Sequence, residues 1–478
     1  MTPLRAAFPR RFRARGPALI VAVGWLVTGC TAKTPEPPRL EPLPAAFKEN
    51  ADWKAANPAD QIARGAWWEA FQDPQLDELE AKIDVSNQTL KAQQARFAQA
   101  RAAVAIAGSA KYPLITSTPA ITAGTQSGNR PNATVHLNTS DFILPVDFSY
   151  EVDLWGRVRQ SVAAARATAQ ASAADVEFVR LSLHAELALD YFELRSLDAE
   201  LALFNDSVAA FQRALDLTRN RYTGGIASAA DVALAETQLE TTRAQAIDTA
   251  AQRAALEHAI AVLIGVPPAS FQLAVAPLTQ SPPEIPPGIP SNLLERRPDI
   301  AAAERRVAAA SANVGVANAA FFPRLALTAS AGLESRSLLS WVSGLSTFWS
   351  AGPAAVITLF DANRRHAVSD QAMAAFDESV ADYQDTILRS LQDVEDSLAA
   401  LRVLRDEAGV QDAAVAAAQR SLTLATNRYR GGVATYLEVI AAQSATLNNQ
   451  RAALSVQSRR ITTSVLLIKA LGGGWTTP

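Results

Sequence analysis

Histidine, cysteine and methionine are scarce in these 478 residues, and the spacing of the side chains that could do chemistry argues against a catalytic centre. The four histidines, His136, His184, His258 and His366, are scattered. His136 falls in a predicted loop, the others on or beside predicted helices, and none has zinc-ligand spacing. No Gly-x-Ser-x-Gly elbow is present to present a serine nucleophile. Neither a Gly-x-x-x-x-Gly-Lys loop nor a dinucleotide fingerprint occurs, so no phosphate cradle is expected. Beyond residue 30 the only methionine is Met373, which argues against a methionine-lined copper path. What remains is one thiol, Cys30, two acids in matching surroundings, Asp231 and Glu438, and two Asn-Arg-Tyr-x-Gly-Gly segments. The chain is not expected to be an enzyme, and no metal or cofactor is expected.

Cys30 has the clearest chemistry. Arg5, Arg10, Arg11, Arg13 and Arg15 precede an apolar run from Ala18 to Val27, and Val27-Thr28-Gly29-Cys30 follows. A charged region, an apolar region and small residues make a secretory signal over 1–29. The small residues before the cysteine resemble a bacterial lipobox, which implies cleavage before Cys30 and acylation of its thiol and new amino group. Several acyl chains, at ~0.8 kcal/mol per buried CH2, hold a protein firmly to a membrane. Thr31 stands where an aspartate would suggest retention in the inner membrane. Losing five arginines and no acid takes the formal net charge from −3 to −8, which makes nucleic acid an unlikely partner. With its one cysteine lipidated the chain has no internal disulfide, so rigidity must come from packing.

The body is built twice. Gln212–Gly265 matches Gln419–Gly472 without a gap at an offset of 207 residues, and 12 of the first 24 positions are identical. Asn220-Arg221-Tyr222 with Gly224-Gly225 reappears as Asn427-Arg428-Tyr429 with Gly431-Gly432. Upstream, Lys111-Tyr112-Pro113-Leu114 matches Phe321-Phe322-Pro323-Arg324. Such similarity means one structural unit used twice. After the signal, 30–66 reads as a proline-rich tether and linker. The first repeat is 67–265, with helices about 70–110, 157–220 and 228–264 and strands about 113–155. A proline-rich surface linker, 266–290, joins it to the second repeat, 291–478, with helices about 298–319, 364–426 and 435–471 and strands about 323–361.

The helices are very long. From Arg364 to about Thr426 there is no proline and one glycine, Gly409, which at 1.5 Å per residue is roughly 95 Å. Phe376, Val380, Tyr383, Ile387, Leu391, Val394, Leu398 and Leu401 step by three or four and make one apolar stripe, with alanine over much of the rest. That pattern suits coiled-coil packing. A soluble helical bundle would show the same stripe.

The strands carry more information. Phe142, Leu144, Val146, Phe148, Tyr150, Val152 and Leu154 alternate with Asp141, Ile143, Pro145, Asp147, Ser149, Glu151 and Asp153. Trp349, Ala351, Pro353, Ala355, Ile357 and Leu359 repeat the pattern, Leu325 to Leu333 shows it more weakly, and Pro113–Ala123 alternates poorly. A tilted strand of ~9–11 residues crosses a bilayer. No segment beyond the signal has 18 consecutive apolar residues, so a β-barrel is the remaining way to span one. Half-buried strands of a soluble sandwich are the competing explanation, and export as a lipoprotein favours the barrel. Four strands per chain cannot close a barrel, since known ones start at about 8. Two copies would make a filled 8-stranded barrel, three a 12-stranded one with a lumen.

On these residues the chain resembles the TolC-like outer membrane factors, and within them the NodT-type lipoprotein branch of RND efflux systems. Trp67-Trp68 with Phe71, Asp73-Pro74 and Leu76 looks like the family's opening motif. Asp153-Leu154-Trp155-Gly156-Arg157 matches its first strand-to-helix junction. Pro290 to Ile300 with Ala303-Glu304, and Phe321-Phe322-Pro323, match the start of its second half. Leu359-Phe360-Asp361 with Arg364-Arg365 resembles the second junction, although Ala362-Asn363 stand where glycines are usual.

The resemblance implies a fold of long helices in an all-α coiled-coil barrel, joined to a 12-stranded membrane β-barrel shared by a homotrimer. It implies a passive exit duct through the outer membrane and periplasm of a Gram-negative bacterium, docked on a periplasmic membrane fusion adaptor and an inner-membrane pump. The turns at Asn220, Arg221, Tyr222, Gly224 and Gly225, and at Asn427, Arg428, Tyr429, Gly431 and Gly432, end the long helices on any reading. The family adds that they form the tip that meets the adaptor. Ser228-x-x-Asp231 and Thr435-x-x-Glu438 fit capping boxes. In the family, acids here constrict the pore entrance, so rings of Asp231 or Glu438 would attract cations. Ala441 and Ala434 stand where some relatives carry a second acid and a basic partner, which puts a charge-locked closed state in doubt. A duct for type I protein secretion and a pore-free periplasmic scaffold lipoprotein remain as alternatives.

Overall fold

The computed structural model describes residues 34–36, 47–48, 65–125, 127, 138–283, 285 and 296–473. The signal, Cys30, His136 and the Pro290–Glu295 part of the second motif lie outside the described residues. The chain forms two compact units, one of residues 1–37, 101–168 and 307–379, the other of 38–100, 169–306 and 380–478.

The first unit holds the sheet. Its strands are β1 (Leu114–Thr116), β2 (Ala120–Thr125), β3 (Asn138–Glu151), β4 (Arg324–Ser335) and β5 (Thr347–Val356). β1 and β2 both pair antiparallel with β3, β3 pairs with β4, and β4 with β5. The first expected strand is thus in two pieces, yet Thr116 opposite Asp147 and Ala120 opposite Ile143 belong to one unslipped register. The break falls where Pro119 and Pro145 come close in that register, and neither has an N–H for the ladder. Ser117 restores one bond by donating its hydroxyl to the Pro145 carbonyl at 2.7 Å. Four ribbons result.

Pairing puts facing residues on one side of a sheet. Ile115 opposite Phe148, Ile121 opposite Phe142, Leu144 opposite Leu333, and Ala331 opposite Trp349 therefore share a face with Val146, Tyr150 and Leu327. The other face carries Thr116, Thr122, Asp141, Asp147, Ser149, Glu151, Thr328, Ser330 and Ser350. The alternation expected on β3 is real, but shorter than expected at both junctions. β3 ends at Glu151, so Val152 and Leu154 lie beyond it, and β5 ends at Val356, before Ile357 and Leu359. A turn bond from Leu154 N–H to Val152 C=O already bends the chain towards the next helix.

Eight-residue or longer helices are α1 (Pro74–Ser86), α2 (Gln88–Ser109), α3 (Arg157–Thr223), α4 (Ala229–Leu263), α5 (Pro298–Ala319), α6 (Arg364–Arg430) and α7 (Tyr436–Ala470). α3 and α6 have 67 residues each, α4 and α7 35 each, as a twofold internal repeat requires. The stripe expected on α6 is its buried side: Tyr383, Ile387, Val394 and Leu398 are all buried. The single helix expected over 70–110 is instead a 3-10 turn, Trp67–Phe71, then α1 and α2. Asn87 makes the break. Its backbone is extended, its Oδ1 accepts from Leu90 N–H at 2.9 Å to start α2, and its Nδ2 donates to Leu263 C=O at 2.7 Å.

The connector between repeats is more than a surface linker. In the second unit Leu273, Leu278 and Ile285 are buried. Asp198, itself buried, accepts from Arg195, from Arg253 and from the Ala276 N–H, while Arg195 and Arg253 donate to the Ala274 and Leu273 carbonyls. Arg253 also pairs with Glu257 at 2.6 Å, so two carboxylates balance two guanidiniums, and the cluster pins the connector.

Candidate functional site

Each long hairpin of the second unit turns on the repeated glycines. After α3, Gly225 N–H donates to Tyr222 C=O at 2.9 Å and Ile226 N–H to Arg221 C=O at 2.8 Å. After α6, Gly432 N–H donates to Tyr429 C=O at 3.0 Å and Val433 N–H to Arg428 C=O at 3.0 Å. Both are Schellman turns with a left-handed glycine, Gly225 at φ 74° and Gly432 at φ 75°. Gly224 and Gly431 repeat each other too, donating to Asn220 and Asn427 C=O.

Side chains break the symmetry. Tyr429 is buried and faces the Tyr436 ring at 5.3 Å, whereas its counterpart Tyr222 is 50% exposed. Ala229 occupies the position equivalent to Tyr436, so the first turn has no partner ring. Arg221 crosses between repeats: it donates to Tyr429 C=O at 2.9 Å and lies 4.5 Å from the centre of the Tyr429 ring. Below the turns Phe204, Phe211 and Leu215 of α3 pack with Leu239 of α4 and Val439 and Leu447 of α7. Burial, with Tyr429 and Asp231 nearby, pushes the Tyr436 hydroxyl up to about 12, so it is neutral here.

The two acids also differ. Ser228 and Asp231 form the expected capping box, Asp231 N–H to Ser228 Oγ at 3.1 Å and Ser228 N–H to Asp231 Oδ2 at 2.9 Å. Thr435 makes no side-chain cap, so the second box is not formed. The Glu438 carboxylate instead meets Arg428 at 3.2 Å. Arg221, the equivalent of Arg428, is instead engaged by the second turn. Both acids thus lie just past their turns, one locally satisfied and one in a solvent-exposed ion pair.

Other expected residues sit apart. His184 is buried in α3, its Nδ1 2.6 Å from Glu80 Oε2 and its ring stacked 4.4 Å from Trp68. Burial penalises charge on both: it pushes Glu80 well up and His184 down to about 4. His366 lies against the Phe321 ring. Among the described residues no group of three His, Cys, Asp or Glu is placed to hold a metal. Also among them, no helix is long and apolar enough to cross a membrane. The buried Glu80–His184 pair was missed in the sequence because its members are 104 residues apart.

Comparison with known proteins adds four findings. A family model described as outer membrane efflux protein matches residues 81–266 and 289–473. The pyoverdine export outer membrane protein OpmQ of Pseudomonas aeruginosa is 32% identical over 462 residues, covering 94% of this chain and 95% of OpmQ. The toluene efflux pump outer membrane protein TtgC of Pseudomonas putida is 30% identical, covering 95% of each chain. Among solved structures, the outer-membrane channel OprN superposes with a TM-score of 0.84 at 27% identity, over 92% of this chain and 99% of that one.

Proposed function

The chain belongs to the outer membrane efflux protein family, and as its member in an outer-membrane efflux channel we propose that three copies share one barrel and act as a passive exit duct. The channel fold, long helices joined to strands of a membrane barrel, and the outer-membrane location follow from the family. The observation that carries the trimer is the sheet. Its four ribbons have one apolar face, and among the described residues β1/β2 and β5 each have a partner on one side only. In lipid such edges would leave unsatisfied N–H and C=O groups, so neighbours must pair with them. Three sets of four ribbons make the 12 strands that leave a lumen.

The energy source lies outside this chain on this reading, in an inner-membrane pump reached through a periplasmic adaptor. The repeated turns are the proposed docking tip. Ile226 and Val433, next after the paired glycines, are 71% and 70% exposed and give the adaptor two near-equivalent apolar points. Asp231 and Glu438 are the proposed acids of the entrance, with Glu438 held by Arg428 rather than by a second acid. Acylation of Cys30 is the proposed anchor, and no catalytic step is assigned. Relatives are named for pyoverdine, toluene and cation export, which supports a duct that leaves substrate choice to its pump.

Single-channel recording in planar bilayers tests the duct. Steady cation-preferring conductance that rises when the tip is loosened is expected. A purified chain that inserts and conducts nothing, even with the tip loosened, would support a scaffold instead.

A further inference from the structure

The segment between β4 and β5 is apolar and ordered at once. In 335–346 the sequence Ser-Arg-Ser-Leu-Leu-Ser-Trp-Val-Ser-Gly-Leu-Ser has one ionisable group, Arg336. Leu339 and Leu345 are fully exposed and Val342 is 84% exposed. Isolated exposed apolar residues need no explanation, but a cluster on one short loop does. Serines hold it in shape: Ser335 Oγ meets Ser340 Oγ at 2.8 Å, and Ser346 Oγ donates to Ser340 C=O at 2.7 Å. The loop is therefore a preformed surface.

Two contacts say which side of the sheet it serves. Trp341 lies 6.1 Å, ring to ring, from Phe142. Phe142 and its cross-strand partner Ser335 are both on the apolar face, with Leu144 and Trp349, and both hold the loop. The loop is thus folded against the face that meets lipid and continues that face past the ends of the strands. It joins the ends of β4 and β5 farthest from the helices, since β4 begins beside α5 and β5 leads to α6. That end opens to the cell exterior in a barrel whose helices hang in the periplasm.

We propose that residues 336–346 are a membrane-inserting foot, in which Leu338, Leu339, Val342 and Leu345 enter the outer leaflet around the barrel rim. The inference rests on the barrel reading above. Trp341 and Phe142 make the aromatic step at the interface, where indole and phenyl rings favour the boundary between hydrocarbon and headgroups. Arg336 extends its charge to the headgroup layer while its stem stays apolar. A foot on each copy braces the rim against tilting without occupying the lumen.

The test uses the full-length protein in phosphatidylcholine vesicles, spin-labelled at Leu339→Cys or Leu345→Cys, with the parent chain giving the Cys30 background. Collision rates with oxygen and with a water-soluble nickel chelate are read by power saturation. Oxygen exceeding the chelate several-fold at both sites is the expected result. Chelate exceeding oxygen would put the loop in water, and low rates for both would put it against another copy of the chain; either overturns the foot. A label at Trp349→Cys, on the apolar face of β5, separates the two readings. If it too favours the chelate, the barrel orientation has failed and the foot with it; if it favours oxygen while the loop does not, the foot alone fails.

Discussion

Arg221, at the end of α3, lies 4.5 Å from the centre of the Tyr429 ring at the end of α6 and donates to the Tyr429 carbonyl at 2.9 Å. One side chain of the first repeat thus holds the second turn by its backbone and its aromatic face. Among the described residues the side chain of Arg428, its repeat mate, pairs with the exposed carboxylate of Glu438.

These two contacts should respond differently to mutation. A charged hydrogen bond to a part-buried carbonyl with a cation–π contact is worth ~1–2 kcal/mol, an exposed ion pair well under ~1 kcal/mol. Arg221→Ala is expected to speed amide exchange across 429–436 by about tenfold or more and to raise single-channel conductance. Glu438→Gln should leave exchange within about twofold and change mainly the salt dependence of conductance.

Gly225 and Gly432 test the turns. At φ 74° and 75° any Cβ is strained, at a cost of ~1–2 kcal/mol per site, although around Gly225 there is open space. Gly225→Val and Gly432→Val should abolish export from cells while oligomers still assemble. Gly224→Ala, whose Cβ would meet only ordinary contacts at 3.5 Å, should export normally. Normal transport by both valine variants would remove the docking role of the turns.

Gly332 tests the sheet. A Cβ there would overlap the Leu144 carbonyl oxygen and Pro145 Cα in the facing strand, so Gly332→Val must push β4 from β3. Heat-resistant oligomers on gels should be lost. Gly352→Ala on β5, where nothing lies within 4 Å of the added carbon, should keep them.

Much of this was legible in the sequence, for reasons particular residues make plain. The offset of 207 put Gly225 and Gly432 in equivalent positions, and local hydrogen bonds then dictate the same turn. Alternation on β3 named the apolar face because the side-chain period of a strand is fixed at two. Long-range choices were hidden. Glu438 satisfies the local spacing of a capping box, but Arg428 from the preceding helix takes its carboxylate. Asn87 looked like one polar residue in a helix, and only its bond to Leu263, from 176 residues away, makes it a break. The split of the first strand depends on two prolines, Pro119 and Pro145, that meet only once the register is known.

The Glu80–His184 pair predicts a pH dependence. Burial lowers His184 from 6.5 to about 4. Between those values the unfolded chain binds a proton that the folded chain refuses, so stability present above pH 6.5 is lost as pH falls to about 4. Glu80, raised, works in the opposite sense: its stability is full below its ordinary 4.5 and fades as pH rises through the raised value. His184→Gln should flatten the fall in melting temperature between pH 6.5 and 4, followed alongside the emission of the stacked Trp68.

The shared barrel is tested most directly by native mass spectrometry of detergent-extracted, full-length protein. Three chains per particle, persisting on dilution, is the expected stoichiometry. A monodisperse monomer, its sheet edges unpaired, would contradict it.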